Sequence, residues 1–446
     1  MNIIKRLLIN VLIISCFCLT VNSQTVDETH LAGNRNNPEK EEWLRDLGFG
    51  LFIHFSHDAQ LGIVISHSVV GASDDYLDRY FNELPGTFNP YKFNPDRIAG
   101  LAKLAGMKYI VFDAKHHNGF CFWDTETTDF NIMNTPYKKD LLAEMIDGVR
   151  RAGLAVGLYY SPEDFWFLYE NDQMIRRREV DIDEKTMQKY NRFIERQTEE
   201  ILKKYGKIDI LFIDSPMKDV CMKTAYRTQP DILITRGAIT TPEQYVPGET
   251  MDWLWESNVT MGTQWNYKPT NDELKSGSKL IEVLVETRAK GGNLLLNIGP
   301  HPEGNIPYEY EIRLREIAAW YFINHEAIDS VRPWIVANED SIWFTASRDR
   351  QTVYAIIAHN DNWKRCHRKE FVLKSVEATE DTKISVLGQS DLVCEYVPET
   401  DPTSRFEQKE DGLHISVMRA QRIYNNHRWP NPIVVKLENI KAAGKQ

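Results

Sequence analysis

Between about residue 40 and residue 335 the chain alternates apolar, β-rich runs with segments of helical period, and few architectures accommodate that pattern. The runs are Gly48 to Phe55, Lys108 to Lys115, Ala155 to Ser161, Ile208 to Asp214, Ile232 to Arg236, Trp253 to Glu256 and Asn293 to Ile298. Most are continuous hydrophobic stretches, as strands covered on both faces are. Helical segments lie between them, among them Pro95 to Ala105, Lys139 to Ala152, Glu184 to Lys204 and Lys279 to Arg288. This alternation predicts an α/β fold, a parallel (β/α) TIM-like barrel over residues 24–335, with seven strands legible and an eighth not placed. Past about residue 340 the pattern changes to short runs of alternating polarity with turn residues between them, such as Thr352 to Ala358, Phe371 to Val376, Lys383 to Gly388, His414 to Met418 and Ile433 to Leu437. They predict a C-terminal antiparallel β-sandwich domain over residues 336–446.

The first 23 residues follow another logic. Lys5 and Arg6 precede an apolar run that ends at Val21-Asn22-Ser23, which reads as a cleaved export signal. Two competing readings are a retained anchor helix and a lipid anchor at Cys16, which follows Ile13-Ile14-Ser15. No later segment is apolar for long enough to span a bilayer. The mature chain is therefore expected to be periplasmic, extracellular or surface-tethered. Cleavage leaves Cys121, Cys221, Cys366 and Cys394, whose wide spacing is neither a zinc pattern nor a dense disulfide framework. A Cys366–Cys394 bridge and free thiols both remain open. Losing Lys5 and Arg6 moves the net charge from −11 to −13, which leaves no electrostatic basis for nucleic-acid binding. Aromatic residues make up 11% of the chain, including 11 Trp, a composition that suits stacking on sugar rings but also ordinary cores.

In parallel barrels the reacting groups stand at the C-terminal ends of the strands. Several apolar runs here end in polar or ionisable residues: His54, His116 and His117, Tyr159 and Tyr160, Asp214, Arg236 and Glu256. Asp214 and Glu256 form a carboxylate pair of the kind that cleaves glycosidic bonds, one attacking the anomeric carbon and one protonating the leaving oxygen. Bland readings compete. Asp214 precedes Ser215-Pro216, a helix-start signature, and Glu243, Glu249 and Asp252 rival Glu256 for the acid role. The two histidines could be a hydrogen-bonded loop pair and Arg236 a structural ion-pair partner. Only one of Tyr159 and Tyr160 is expected in the pocket, because neighbours on a strand face opposite sides. No His-x-His or His-Glu-x-x-His motif is present, so no metal or other cofactor is expected.

These stretches resemble the α-L-fucosidases of glycoside hydrolase family 29. The resemblance rests on Phe49 to His54, Phe93-Asn94-Pro95, Leu101 to Tyr109, Lys115 to Phe120, Trp123, Lys139-Asp140, Gly157 to Ser161, Tyr205 to Asp214, Trp255-Glu256, Trp265-Asn266-Tyr267 and Lys290 to Pro300. It implies a retaining exo-glycosidase acting on fucosylated oligosaccharides or glycoprotein glycans. It also implies Asp214 as nucleophile, Glu256 as acid and base, His54, His116 and His117 as ligands of the sugar hydroxyls, and Tyr160 and Trp265 as further contacts, with Arg236 added from its strand end. The chain departs from the family pattern in having Phe212 where Trp is frequent, Ser215 where Gly is, and Ser66 to Gly71 in place of a Glu-Trp pair that contacts the sugar. Within that loop His67 is a substitute candidate. The departures keep two alternatives open, a related α-L-glycosidase such as an α-L-galactosidase and an idle sugar-binding surface protein.

Overall fold

The computed structural model describes residues 34–177, 181–251, 253–358, 363–424 and 429–444. The expected export signal with Cys16, and Asp252, lie outside the described residues. Seven parallel strands form one sheet: β1 (Phe49–Ile53), β2 (Tyr109–Lys115), β3 (Ala155–Tyr160), β4 (Ile210–Ile213), β5 (Leu233–Ile234), β6 (Glu256–Thr260) and β7 (Asn293–Ile298). Their spatial order is β5-β4-β3-β2-β1-β7-β6. Every residue of the seven is buried except half-buried Ala155, which is why most read as unbroken apolar runs.

The two faces of the sheet have separate cores. Phe52, Val111, Tyr159, Phe212, Leu233 and Leu295, from six different strands, meet in one inner cluster with Leu44 of the helix Pro38–Leu47. Side chains from six strands can share a cluster only if the sheet curls around them. The outer face packs on helices whose starts the sequence writes plainly. Asn94 caps Pro95–Leu104 by accepting from the Arg97 N–H, and Asp140 caps Leu141–Arg151 by accepting from the Ala143 N–H. Two of the short motifs noted above, Phe93-Asn94-Pro95 and Lys139-Asp140, are thus helix caps.

Between β5 and β6 the chain runs beside β6 without a regular strand, through isolated bridges at Thr240–Trp255 and Glu243–Asn258. Glu256 N–H donates to Thr240 O at 3.0 Å, Asn258 N–H to Pro242 O at 2.8 Å and Gln244 N–H to Asn258 O at 2.8 Å. Pro242 has no N–H to give, and Gln244 adopts a left-handed φ of 65°. Such a segment carries no strand signature in sequence.

The expected strand Trp253 to Glu256 is corrected: Glu256 opens β6 instead of closing a strand. Ser257, Asn258 and Thr260 hide that strand in the sequence, yet all are buried. The hydroxyls of Ser257 and Thr260 donate to Tyr245 O and Gly262 O at 2.6 and 2.7 Å.

Antiparallel pairing begins at Arg332. β8 (Arg332–Glu339), β9 (Ile342–Ala346), β10 (Thr352–Ile357), β12 (Val376–Val386) and β15 (Ile433–Ala442) form a five-stranded sheet in the order β12-β15-β10-β9-β8. β11 (Arg368–Leu373), β13 (Arg405–Lys409) and β14 (Gly412–Met418) form a three-stranded sheet in the order β11-β14-β13. Cys366 and Cys394 are free thiols sharing a small cluster with Met418 and Ala420.

Candidate active site

At the C-terminal rim of the parallel sheet a cavity of about 110 Å³ opens among His54, His116, His117, Tyr159, Asp214, Arg236, Glu243 and Trp265. β2 ends at Lys115, so His116 and His117 lie beyond the strand's alternation, and both rings face the cavity with centroids 4.2 Å apart. Trp265 packs beside His54 at 4.9 Å, and Tyr159 stacks on His116 at 5.2 Å.

Asp214 follows β4 directly and is half-buried. Burial pushes its carboxyl up, but the Arg236 guanidinium and His117 more than offset this and hold it well below the usual carboxylate range. Tyr159 Oη donates to its Oδ2 at 2.9 Å, and Arg236 Nη1 lies 3.5 Å from its Oδ1. The same Nη1 pairs with Glu243, whose side chain is 41% exposed. Asp214 and Glu243 therefore flank one guanidinium nitrogen, the first anionic and inward, the second turned to solvent.

The imidazoles are held by buried partners. Asn297 Nδ2 donates to Trp265 O at 2.8 Å, which leaves Asn297 Oδ1 to accept from His54 Nδ1 at 2.7 Å. His54 thus presents a bare Nε2 to the cavity, and burial keeps it neutral by lowering its pKa to about 4. Ser66 Oγ accepts from the Asn118 N–H at 3.0 Å and shares a hydrogen bond of 2.6 Å with His116 Nδ1, which holds that ring with its Nε2 edge toward the cavity. Burial keeps this ring neutral too. Ser66 holds a left-handed φ of 60° and donates its N–H to buried Asp58, a strained backbone retained where it places the next residue, His67, at the cavity wall.

A family model described as Alpha-L-fucosidase matches residues 18–326, more than half of the chain. The chain belongs to the α-L-fucosidase family. The tissue α-L-fucosidase of Bos taurus is 30% identical over 322 residues, 67% of this chain and 67% of that protein. Among solved structures, α-L-fucosidase isoenzyme 1 from Paenibacillus thiaminolyticus has a TM-score of 0.71 at 24% identity, covering 90% of this chain and 99% of that one. An α-L-fucosidase from Bacteroides thetaiotaomicron, solved as a trapped covalent intermediate with 2-fluoro-fucosyl fluoride, has a TM-score of 0.69 at 20% identity, covering 92% and 98%. The fold described here is theirs.

In this α-L-fucosidase-family chain the rim gathers Asp214, His54, His116, His117, Arg236 and Trp265 of the residues singled out from sequence, and leaves out two. Glu256 opens β6, so it stands at the entry end of the sheet, roughly 13 Å of strand from the rim. There it is fully buried and accepts from Tyr109 Oη, the first residue of β2, at 2.5 Å. Burial pushes its pKa up to about 7. Tyr160 faces the outer core and donates to Gln197 Oε1 at 2.9 Å, while its neighbour Tyr159 reaches the cavity. Asp214 does not start a helix: the next one, Lys218–Thr228, begins after Met217 with no side-chain cap, and Ser215 Oγ accepts from the Met217 N–H at 3.0 Å.

Asn258, Arg177 and Glu163 were not singled out. Asn258 and Arg177 line the cavity. Glu163 is fully buried behind His117, and the run Ser161-Pro162-Glu163-Asp164 after an apolar strand was the available signal for it.

Proposed function

We propose that the protein is a retaining, exo-acting α-L-fucosidase in which Asp214 is the nucleophile and Glu243, not Glu256, is the general acid and base. The observation that carries this reading is the shared contact of Arg236 Nη1 with both carboxylates. A guanidinium nitrogen touched by both carboxylates supports a close pair, of the kind that double displacement uses at a separation of about 5 Å with no room for an intervening water. Asp214 is anionic and held by Tyr159, Arg236 and His117, as an attacking carboxylate requires. Glu243 faces solvent, the side on which a leaving group departs.

Asp214 attacks the anomeric carbon while the bond to the leaving oxygen breaks and Glu243 delivers its proton to that oxygen. Glu243, now a carboxylate, takes a proton from water as the water oxygen attacks the same carbon and releases Asp214. The trapped covalent intermediate of the Bacteroides relative supports the two-step course. A cavity of about 110 Å³ supports removal of a terminal fucosyl residue from an oligosaccharide or glycoprotein glycan. We take the curled sheet and residues 239–244 as a (β/α) barrel, the two antiparallel sheets as a sandwich, and the N-terminal segment as an export signal.

The test is hydrolysis of an aryl α-L-fucoside followed by NMR, with aryl α-L-galactoside beside it. α-L-Fucose as the first-formed sugar is expected. β-L-Fucose would overturn the retaining course, and tight fucose binding without turnover would favour the idle sugar-binding alternative.

A further inference from the structure

Several cavity residues have a buried polar neighbour in the chain. Ile65 and His67 flank Ser66, His117 precedes Asn118, and Trp265 precedes Asn266. Ser66, Asn118 and Asn266 are fully buried behind the wall, and all three are tied to one side chain, that of Asp58. Asp58 Oδ2 accepts from the Ser66 N–H and from Tyr80 Oη, both at 2.8 Å, and Oδ1 accepts from Asn266 Nδ2 at 3.0 Å. Tyr80 Oη in turn accepts from Asn118 Nδ2 at 3.0 Å, and the Asn118 N–H donates to Ser66 Oγ. The network therefore spans separate loops. Ser66 and Tyr80 belong to the chain after β1, Asn118 to the turn after β2, and Asn266 to the chain after β6, which lies beyond β7 from β1.

Asp58 is itself fully buried, and among the described residues no lysine or arginine pairs with it. Burial pushes its carboxyl up to about 6, while hydrogen bonds from Ser66, Tyr80 and Asn266 pull it down. A buried carboxylate is retained without a cation only where donors converge on it. Here each donor is joined to a cavity residue by a peptide bond or by one further hydrogen bond.

We infer that Asp58 is a positioning residue for the sugar-binding side of the cavity: its carboxylate locks the loops after β1, β2 and β6 together and so sets His67, His116 and His117 against Trp265. Asp214, Arg236 and Glu243 are carried by the chain after β4 and β5, outside this lock. Losing the carboxylate therefore loosens the grip on the sugar more than it slows the breaking of the bond. That the bound group is a fucosyl residue rests on the reading proposed above; the lock does not.

The test uses the full chain. Asp58→Ala should raise KM for an aryl α-L-fucoside, and the inhibition constant of L-fucose in parallel, by about tenfold to a hundredfold, with kcat lowered less than about fivefold. Asp58→Asn keeps an oxygen for Ser66 and Tyr80, and a turn of the Asn266 amide, whose Oδ1 is buried without a partner, can meet its new Nδ2. This variant should return KM to within about fivefold of wild type. A lowered Tm with wild-type KM and inhibition constant in Asp58→Ala, or a loss confined to kcat, would overturn the proposal. Should Asp58→Ala not fold, Tyr80→Phe and Asn266→Ala, each deleting one donor outside the cavity, carry the same test with shifts of about threefold to tenfold. If the wild-type protein cleaves no α-L-fucoside, the fucosidase reading fails and side-chain 15N NMR decides the lock: Asp58→Asn should shift the His116 and Trp265 resonances together, and a shift in only one of them, or in neither, would overturn it.

Discussion

The two ends of the parallel sheet treat a carboxyl group in opposite ways. At the rim, Asp214 leaves β4 into a half-open cavity where Arg236 and His117 outweigh burial and keep it charged. At the floor, Glu256 enters β6 in a closed interior where its hydrogen-bond partner is the neutral Tyr109 hydroxyl, and burial pushes its pKa up to about 7. Asp214 ends an apolar run and Glu256 follows a Trp-rich one, so their sequence settings look alike; direction along the strand separates them. A parallel sheet has one reactive end, and a residue four positions earlier on a strand belongs to the scaffold.

Substitutions break this comparison in order of size. Asp214→Ala should cost about 10⁴-fold or more in kcat on an aryl fucoside with circular dichroism unchanged. Glu243→Ala should cost about 10²- to 10⁴-fold with a poor leaving group and much less with a good one. Tyr159→Phe removes one donor from the charged Asp214 and should lower kcat/KM about tenfold to a hundredfold. Tyr160→Phe, one residue along but facing the outer core, should leave kcat/KM within about twofold and cost about 1 kcal/mol of stability in urea titrations.

Glu256→Gln sharpens the comparison at the floor. Because the folded pKa stands near 7 against an ordinary 4.5, the wild-type fold has its full stability below about pH 4.5 and loses it as pH rises through about 7. The loss amounts to about 3 kcal/mol at most. Removing the titration should flatten that decline, measured as Tm from pH 4 to pH 8, while activity stays near wild type. Parallel curves for the two proteins would show that Glu256 is not buried as described.

The sequence made the scaffold more legible than the floor of the site. β1, β2, β3, β4 and β7 announce themselves because burial on both faces demands uninterrupted apolar runs, and Asn94, Asp140 and Asp183 mark helix starts through their caps. β6 stayed hidden because it buries Ser257, Asn258 and Thr260, and the two hydroxyls are satisfied by hydrogen bonds that no spacing reveals. Glu243 was visible only as one of several acidic rivals, since the irregular segment that carries it to the rim has Pro242 and a left-handed Gln244 in place of a strand pattern. The histidines were found at once, but their orientations depend on Asn297, Ser66 and Ser161, distant or unremarkable residues whose role appears only when the strands are side by side.

Azide rescue compares the three carboxylates in a single experiment. With Asp214→Ala, azide should restore turnover and give β-L-fucosyl azide; with Glu243→Ala it should give α-L-fucosyl azide; Glu256→Ala should need no rescue. A crippled Glu256→Ala that azide restores to α-L-fucosyl azide, beside an ordinary Glu243→Ala, would contradict the assignment of the acid to the rim.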